Sequence, residues 1–231
     1  MKKIIITSIF IAASILSASA QLPKLSKKEK KEGWQLLFDG KTSAGWKSYD
    51  GKPFPALSWK IENGTLTVVP TDKKIDVVTE EEFSDFELSL DFKISKGANS
   101  GVKYFILPGK NLGCEFQILD DDEHPDAKLG KDGNRLQGGL YDLIPPASDK
   151  KDKPIGKWNN ARIISKGNHV EHWLNGKKIV SYERGSKKFN ALVAESKYKN
   201  NKEFATQKKS AILLQDHGDV VSFRNIKIRK M

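Results

Sequence analysis

One cysteine, Cys114, is all the thiol the 231-residue chain carries. No internal disulfide can staple it, so its stability must come from a hydrophobic core, which a chain of about 200 residues can supply. Cys114 lies in an apolar alternating run, where a buried inert thiol is expected rather than a nucleophile. Long apolar runs are also missing. The longest, IIITSIFIAASIL, is too short to span a bilayer comfortably. It follows Lys2 and Lys3 and precedes Ala18-Ser19-Ala20, the pattern of a secretory signal peptide over 1–20 cleaved before Gln21. No cysteine lies near that point to suggest a lipid anchor, and no membrane span remains once the signal is removed. The chain has no repeat of fixed period and no sustained helical period, which excludes solenoids and helix bundles.

Acid is in deficit. Lys and Arg number 40 against 29 Asp and Glu, a net charge of +11, of which Lys2 and Lys3 contribute two. The excess gathers at 24–31, 150–153, 187–188 and 197–202, segments without strand periodicity that read as solvated loops. A basic exported protein suits polyanions such as acidic glycans. Nucleic acid is not indicated, since no recognition motif is present.

What the chain does have is alternation. In FELSLDFKI, Phe86, Leu88, Leu90, Phe92 and Ile94 take one face and Glu87, Ser89, Asp91 and Lys93 the other. Asn63-Gly64 and Asn175-Gly176 each interrupt alternating residues and predict tight hairpins. Strands are expected over 86–94, 102–107, 114–119, 211–216 and 221–228, with five tryptophans in the core. Residues 21–33 read as a flexible polar leader with little to bury. The long irregular stretch 120–157 reads as a functional loop, and 185–209 as a Lys-rich segment with room for a short helix. Many short strands with turn signals between them make residues 34–231 one all-β domain, a sandwich or barrel.

The stretch Asn99–Asp126, NSGVKYFILPGKNLGCEFQILDDDEHPD, carries the chemistry. Cys114, Phe116 and Ile118 share the core parity. Glu115 and Gln117 then stand about 6.6 Å apart on the opposite face. An acid and an amide side by side, followed by an acidic loop ending in His124, suit a sugar or metal site.

FDGKTSAGW (38–46), DFELSLDFKI leading into NSGVKYF, CEFQILDD, GGLYDLIPP, GKWNNARI, LNGKKIV and LLQDHGDVVSFRNIKIR occur in that order. Together they resemble the bacterial secreted 3-keto-disaccharide hydrolase family, formerly a domain of unknown function. The resemblance covers residues 34 to 229 and implies a concanavalin A-like jelly roll of two antiparallel sheets, with the site on the concave one. It also implies cleavage of glycosides already oxidised at C3. The ketone acidifies the C2 proton, a base removes it, the C1 substituent leaves by β-elimination, and water adds to the enone. Many members carry an arginine shortly after the NSG turn, where this chain has Tyr104-Phe105, so that arginine's role does not transfer.

On this resemblance the catalytic candidates are His217 and Glu115. His217 shares a strand parity with Gln215 and is a base or a metal ligand, against the plainer reading of a turn cap beside Gly218. Glu115, Gln117, Gln215 and His217 are expected to face one cavity. Asp120 and Tyr141 join as substrate-binding candidates; Tyr141 either stacks on a sugar ring or edges the core. Lys103 either stabilises an enolate or is a surface lysine. A divalent cation, if used, draws on Glu115, Asp120 and His217. Arg224 is a structural cation or reaches the site from below. Two other functions suit the same fold: a non-catalytic, lectin-like glycan-binding module, and a conventional glycoside hydrolase built on Glu115 and Asp120.

Overall fold

The computed structural model describes residues 22–231; the expected signal peptide and its cleavage point before Gln21 lie outside the described residues. In chain order the first strands are β1 (Gln35–Leu36), β2 (Trp46–Ser48), β3 (Trp59–Glu62), β4 (Thr65–Val68) and β5 (Val77–Thr79). Then come β6 (Phe86–Ile94), β7 (Asn99–Tyr104), β8 (Cys114–Leu119) and β9 (Asn159–Lys166). Last are β10 (His169–Leu174), β11 (Lys177–Glu183), β12 (Leu213–Leu214) and β13 (Val221–Lys230). Helix α1 (Lys27–Lys31) precedes them and α2 (Lys187–Glu195) lies between β11 and β12.

All pairings are antiparallel. One sheet runs β11-β10-β9-β6-β13-β4-β3 with β1 on β13, and the other runs β2-β5-β12-β7-β8. The two stack as a jelly-roll sandwich. Between them lie Phe86, Leu88, Leu90 and Phe92 from β6, facing Val102, Cys114, Phe116 and Ile118 from β7 and β8, all buried. Both Asn-Gly hairpins form, with Asn63, Gly64, Asn175 and Gly176 all at positive φ, as a two-residue loop of matching twist requires.

Several expectations shift. The strand predicted over 102–107 occupies Asn99–Tyr104, because Phe105 adopts a left-handed φ of 52° and turns the chain out of the sheet. The strand predicted over 211–216 shrinks to Leu213–Leu214. Its flanking N–H groups bond elsewhere: Ile212 to Thr79 Oγ1 at 2.9 Å and Asp216 to Asp76 Oδ1 at 2.8 Å. Only Trp46 and Trp59 are core; Trp34, Trp158 and Trp173 are half-buried beneath cations, for example Arg224 at 4.1 Å over Trp158. The leader has more to bury than its composition suggests. Pro23 is buried, Ser26 and Glu29 form a capping box on α1, and Glu29 pairs with Lys227 of β13. Among the described residues no helix is long and apolar enough to cross a membrane.

Candidate active site on the smaller sheet

Register assembles the site. β7 and β8 pair with Lys103 opposite Glu115 and Gly101 opposite Gln117. On the other edge of β7, Leu213 lies opposite Lys103, and the N–H of Gln215 donates to the Gly101 carbonyl at 3.0 Å. Gly101 thus has Gln117 on one side and Gln215 on the other, with Glu115 leaning over it. A Cβ on Gly101 would sit 2.9 Å from the Glu115 carboxyl carbon, 3.0 Å from its Cγ, and closer still to Oε1. The missing side chain is the space the carboxylate occupies.

A cavity of about 330 Å³ opens here, lined by Lys103, Glu115, Gln117, Tyr141, Gln215 and His217. These are the residues named from the sequence, Asp120 excepted. The side-chain oxygens of Gln117 and Gln215 are buried and accept no hydrogen bond from the described residues. Two orphan carbonyls flanking a glycine floor are acceptors held ready for donors from a ligand, such as sugar hydroxyls.

Lys103 is not a surface lysine. It is buried, donates to Asn111 Oδ1 at 2.8 Å and lies 3.8 Å from Glu115. Asn111 in turn donates to Asp76, whose other oxygen accepts the Asp216 N–H. Burial pushes the Asp76 carboxyl up to about 6, despite that hydrogen bond and the nearby Lys103. Glu115 therefore stands at the end of a chain of hydrogen-bonded and charged groups that holds Lys103 in place.

His217 is half-buried at the rim. Burial, with Lys74 alongside, lowers its pKa below the ordinary 6.5 and keeps the imidazole neutral at pH 7. Its Nδ1 lies 4.0 Å from Asp219 Oδ2, and its ring centroid is 6.0 Å from that of His124. Tyr141 carries the Lys197 ammonium 4.0 Å over its ring, so that face is not free to stack on a sugar. Burial and the neighbouring Asp126 carboxylate hold the Tyr141 hydroxyl protonated, well above its usual pKa.

Asp120 departs from expectation. It is buried, its Oδ2 accepts the Gly97 N–H at 2.7 Å, and its Oδ1 accepts those of Asp122 and Glu123 at 3.2 and 3.3 Å. A carboxylate spent on backbone donors builds the turn and does not line the cavity. The proposed cation ligands change with it. Among the described residues, His124, His217 and Asp219 bring one ligand atom each within 4.8 Å of one another; of the three candidates from sequence, only His217 belongs. The neutral imidazole of His217 suits a divalent cation, as does an added carboxylate. His124 Nδ1 accepts the Asp126 N–H at 3.1 Å, which puts the proton of the neutral ring on Nε2; His124 would ligate a cation only with that hydrogen bond released. Arg224 stays on the other sheet, paired with Asp91 at 3.3 Å, and does not reach this cavity.

Asn99, which the sequence suggests as a turn builder, His124, which it leaves in the acidic loop without a role of its own, and Asp126 and Lys197, which it does not single out, also line the cavity. The loop DDDEHPD signalled two of them, but parity arguments end where strands end. Lys197 follows a helix far along the chain and carried no local signal.

A family model described as 3-keto-alpha-glucoside-1,2-lyase-like domain matches residues 33–229. A 3-keto-disaccharide hydrolase of Bacteroides thetaiotaomicron is 34% identical over 91% of this chain and 83% of its own length. A solved structure of a candidate glycosyl hydrolase from Parabacteroides distasonis superposes with a TM-score of 0.81 at 30% identity, covering 91% of this chain and 100% of that one. A carbohydrate binding module from Bacillus subtilis shares the fold alone, at 12% identity and a TM-score of 0.50 over 80% of this chain and 96% of that one. The chain belongs to the 3-keto-alpha-glucoside-1,2-lyase-like family.

Proposed function

We propose that the chain is an exported carbohydrate-cleaving enzyme that acts on 3-keto-glycosides by removing the C2 proton. One observation carries this reading: a carboxylate, a neutral imidazole, a buried lysine and two orphan amide oxygens converge on one cavity in a member of this family. The base takes the proton from C2, and its electron pair forms the C1–C2 double bond as the C1–O bond breaks. The departing oxygen takes a proton. Water then adds at C1, and C2 recovers a proton to give the free 3-keto sugar. Gln117 and Gln215 accept from ring hydroxyls, and Lys103 or Lys197 faces the charge that develops on the ketone oxygen. Tyr141, kept protonated, is a donor and not a base.

Glu115 or His217 takes the C2 proton. A divalent cation held by His124, His217 and Asp219 would supply a Lewis acid for the ketone oxygen. With those side chains committed to it, Glu115 is the base.

The locked carboxylate of Asp120 argues against a conventional glycosidase built on Glu115 and Asp120, which needs both carboxyl groups facing each other across the bond. The Lys2-Lys3 start, apolar run and Ala-Ser-Ala site support export; recovery of protein beginning at Met1 from the native cytoplasm would oppose it.

The mechanism is tested with a 3-keto-disaccharide and its unoxidised parent. Product formed in heavy water should carry deuterium at C2, and Glu115→Ala should lose activity about a hundred- to ten-thousandfold while folding normally. Brisk hydrolysis of the parent, or product without solvent deuterium, would overturn it. A glycan-binding module would turn over neither sugar.

A further inference from the structure

A second cavity, of about 440 Å³, lies outside the site, between the end of β11, helix α2 and the segment 199–208. Its charged lining is Arg184, Lys199, Lys202 and Lys208, with no acid among its lining residues. Elsewhere on the surface lysines pair freely, as Lys209 does with Glu82 at 3.2 Å. Arg184 is 9% exposed, and its Nη1 donates to the carbonyls of Ala205 and Gln207. Its guanidinium stacks 3.6 Å from the Phe105 ring, and its Nε has no hydrogen-bond partner. Among the described residues no carboxylate pairs with it. A buried cation costs free energy unless an anion offsets it.

We infer that this groove binds an anionic saccharide, a sugar bearing a sulfate ester or a carboxylate. The acidic group meets the three lysines, with the buried Arg184 adding its charge from the wall behind them. Asn190 and Asn201 offer amides to hydroxyls, and Val193 and Ala194 give the sugar ring an apolar wall. The volume lies in the range of small-ligand sites, about 300–1,000 Å³. The groove and the catalytic cavity share a chain segment: Lys199 lines one and Lys197, two residues earlier, the other. An acidic branch or neighbouring residue of a glycan can thus be held by the segment that walls the active site. This explains part of the basic excess that the catalytic cavity does not use.

The test is calorimetric titration with a sulfated disaccharide, a uronate-bearing disaccharide, a neutral disaccharide and inorganic sulfate. The inference expects one or both acidic sugars to bind, and the tighter of the two identifies the acidic group. The double variant Lys202→Glu/Lys208→Glu, both exposed positions, should weaken that binding at least about tenfold, as loss of charged hydrogen bonds does. Its melting temperature and its turnover of a neutral 3-keto-disaccharide should not change. Equal affinity for the neutral disaccharide, equal affinity for inorganic sulfate, or unchanged binding in the double variant would each overturn the inference. Because turnover is measured separately, failure here leaves the catalytic reading standing.

Discussion

Gly101→Ala should damage function more than structure. The added methyl would come within 2.9 Å of the Glu115 carboxyl carbon and 3.0 Å of its Cγ, so Glu115 must leave its present rotamer. Its backbone is held by the β7–β8 ladder and its side chain is 5% exposed, which leaves little room to retreat. An off-rotamer or overpacked side chain of this kind costs about 1–3 kcal/mol. Alanine returns roughly 0.4–1 kcal/mol by restricting the unfolded chain, since Gly101 has no positive φ to defend. The net loss of about 1–2 kcal/mol should lower the melting temperature by only about 2–8 °C in a domain of this size. Activity should fall much further, because a displacement of about 1 Å at a reacting group costs on the order of a hundredfold. Two assays separate the effects: thermal unfolding, and single-turnover cleavage of a 3-keto-glycoside. A double-mutant cycle sharpens them, since in Gly101→Ala/Glu115→Ala the clash vanishes and stability should return. Full activity in Gly101→Ala, or no stability coupling in the cycle, would refute the assignment of Glu115 to the reacting carbon.

Two further predictions concern pH. His172 is fully buried, with its Nδ1 3.0 Å from the Gly138 carbonyl, and burial pushes its pKa down to about 4. It therefore contributes about 3 kcal/mol that is present above pH 6.5 and lost as pH falls through 4. Asp76 runs the other way: raised to about 6, it costs about 3 kcal/mol above that pH and regains it on acidification. Denaturant titrations should show Asp76→Asn losing about 2–3 kcal/mol more than the wild type between pH 7 and 4, and superimposable pH profiles would count against this pairing. For catalysis, the depressed pKa of His217 places the acid limb of the rate profile below pH 6.5, and His217→Ala should remove that limb. A limb centred above 6.5 and assigned to this histidine would contradict its environment.

The buried face of the fold was legible because it obeys a period of two. Phe86 to Ile94 alternated in the sequence and alternate in the sheet, and both Asn-Gly pairs turned where their φ preference required. What parity could not show was where a strand stops. The chain leaves β7 at Phe105 through a left-handed conformation that no bulky residue advertises. β12 keeps only two ladder residues because Thr79 and Asp76 side chains capture its neighbours' N–H groups. Tryptophan was misread for another reason. Size favours burial, but Trp158 and Trp173 sit on the outer side of their sheet, where arginine and lysine cover their rings.

The site divides along the same line. Parity identifies Glu115 with Gln117, and Gln215 with His217, as pairs sharing a face, but it says nothing about which strands adjoin. That β7 lies between β8 and β12 is a property of the sheet, and only this order sets Gly101 between two orphan amides beneath a carboxylate. The cation cluster is less legible still. It joins His124, from the loop after β8, to His217 and Asp219, from the loop before β13, while Asp219 also takes the Asn99 N–H at 3.0 Å. Asp120 carried the stronger sequence signal, adjoining a strand inside a family motif, yet the turn consumes both its oxygens. A carboxylate's availability depends on which backbone donors reach it first, and those donors come from chain segments that composition does not bring together. Gly101 makes the same point in reverse: it has no functional group, and the geometry of Glu115 depends on that.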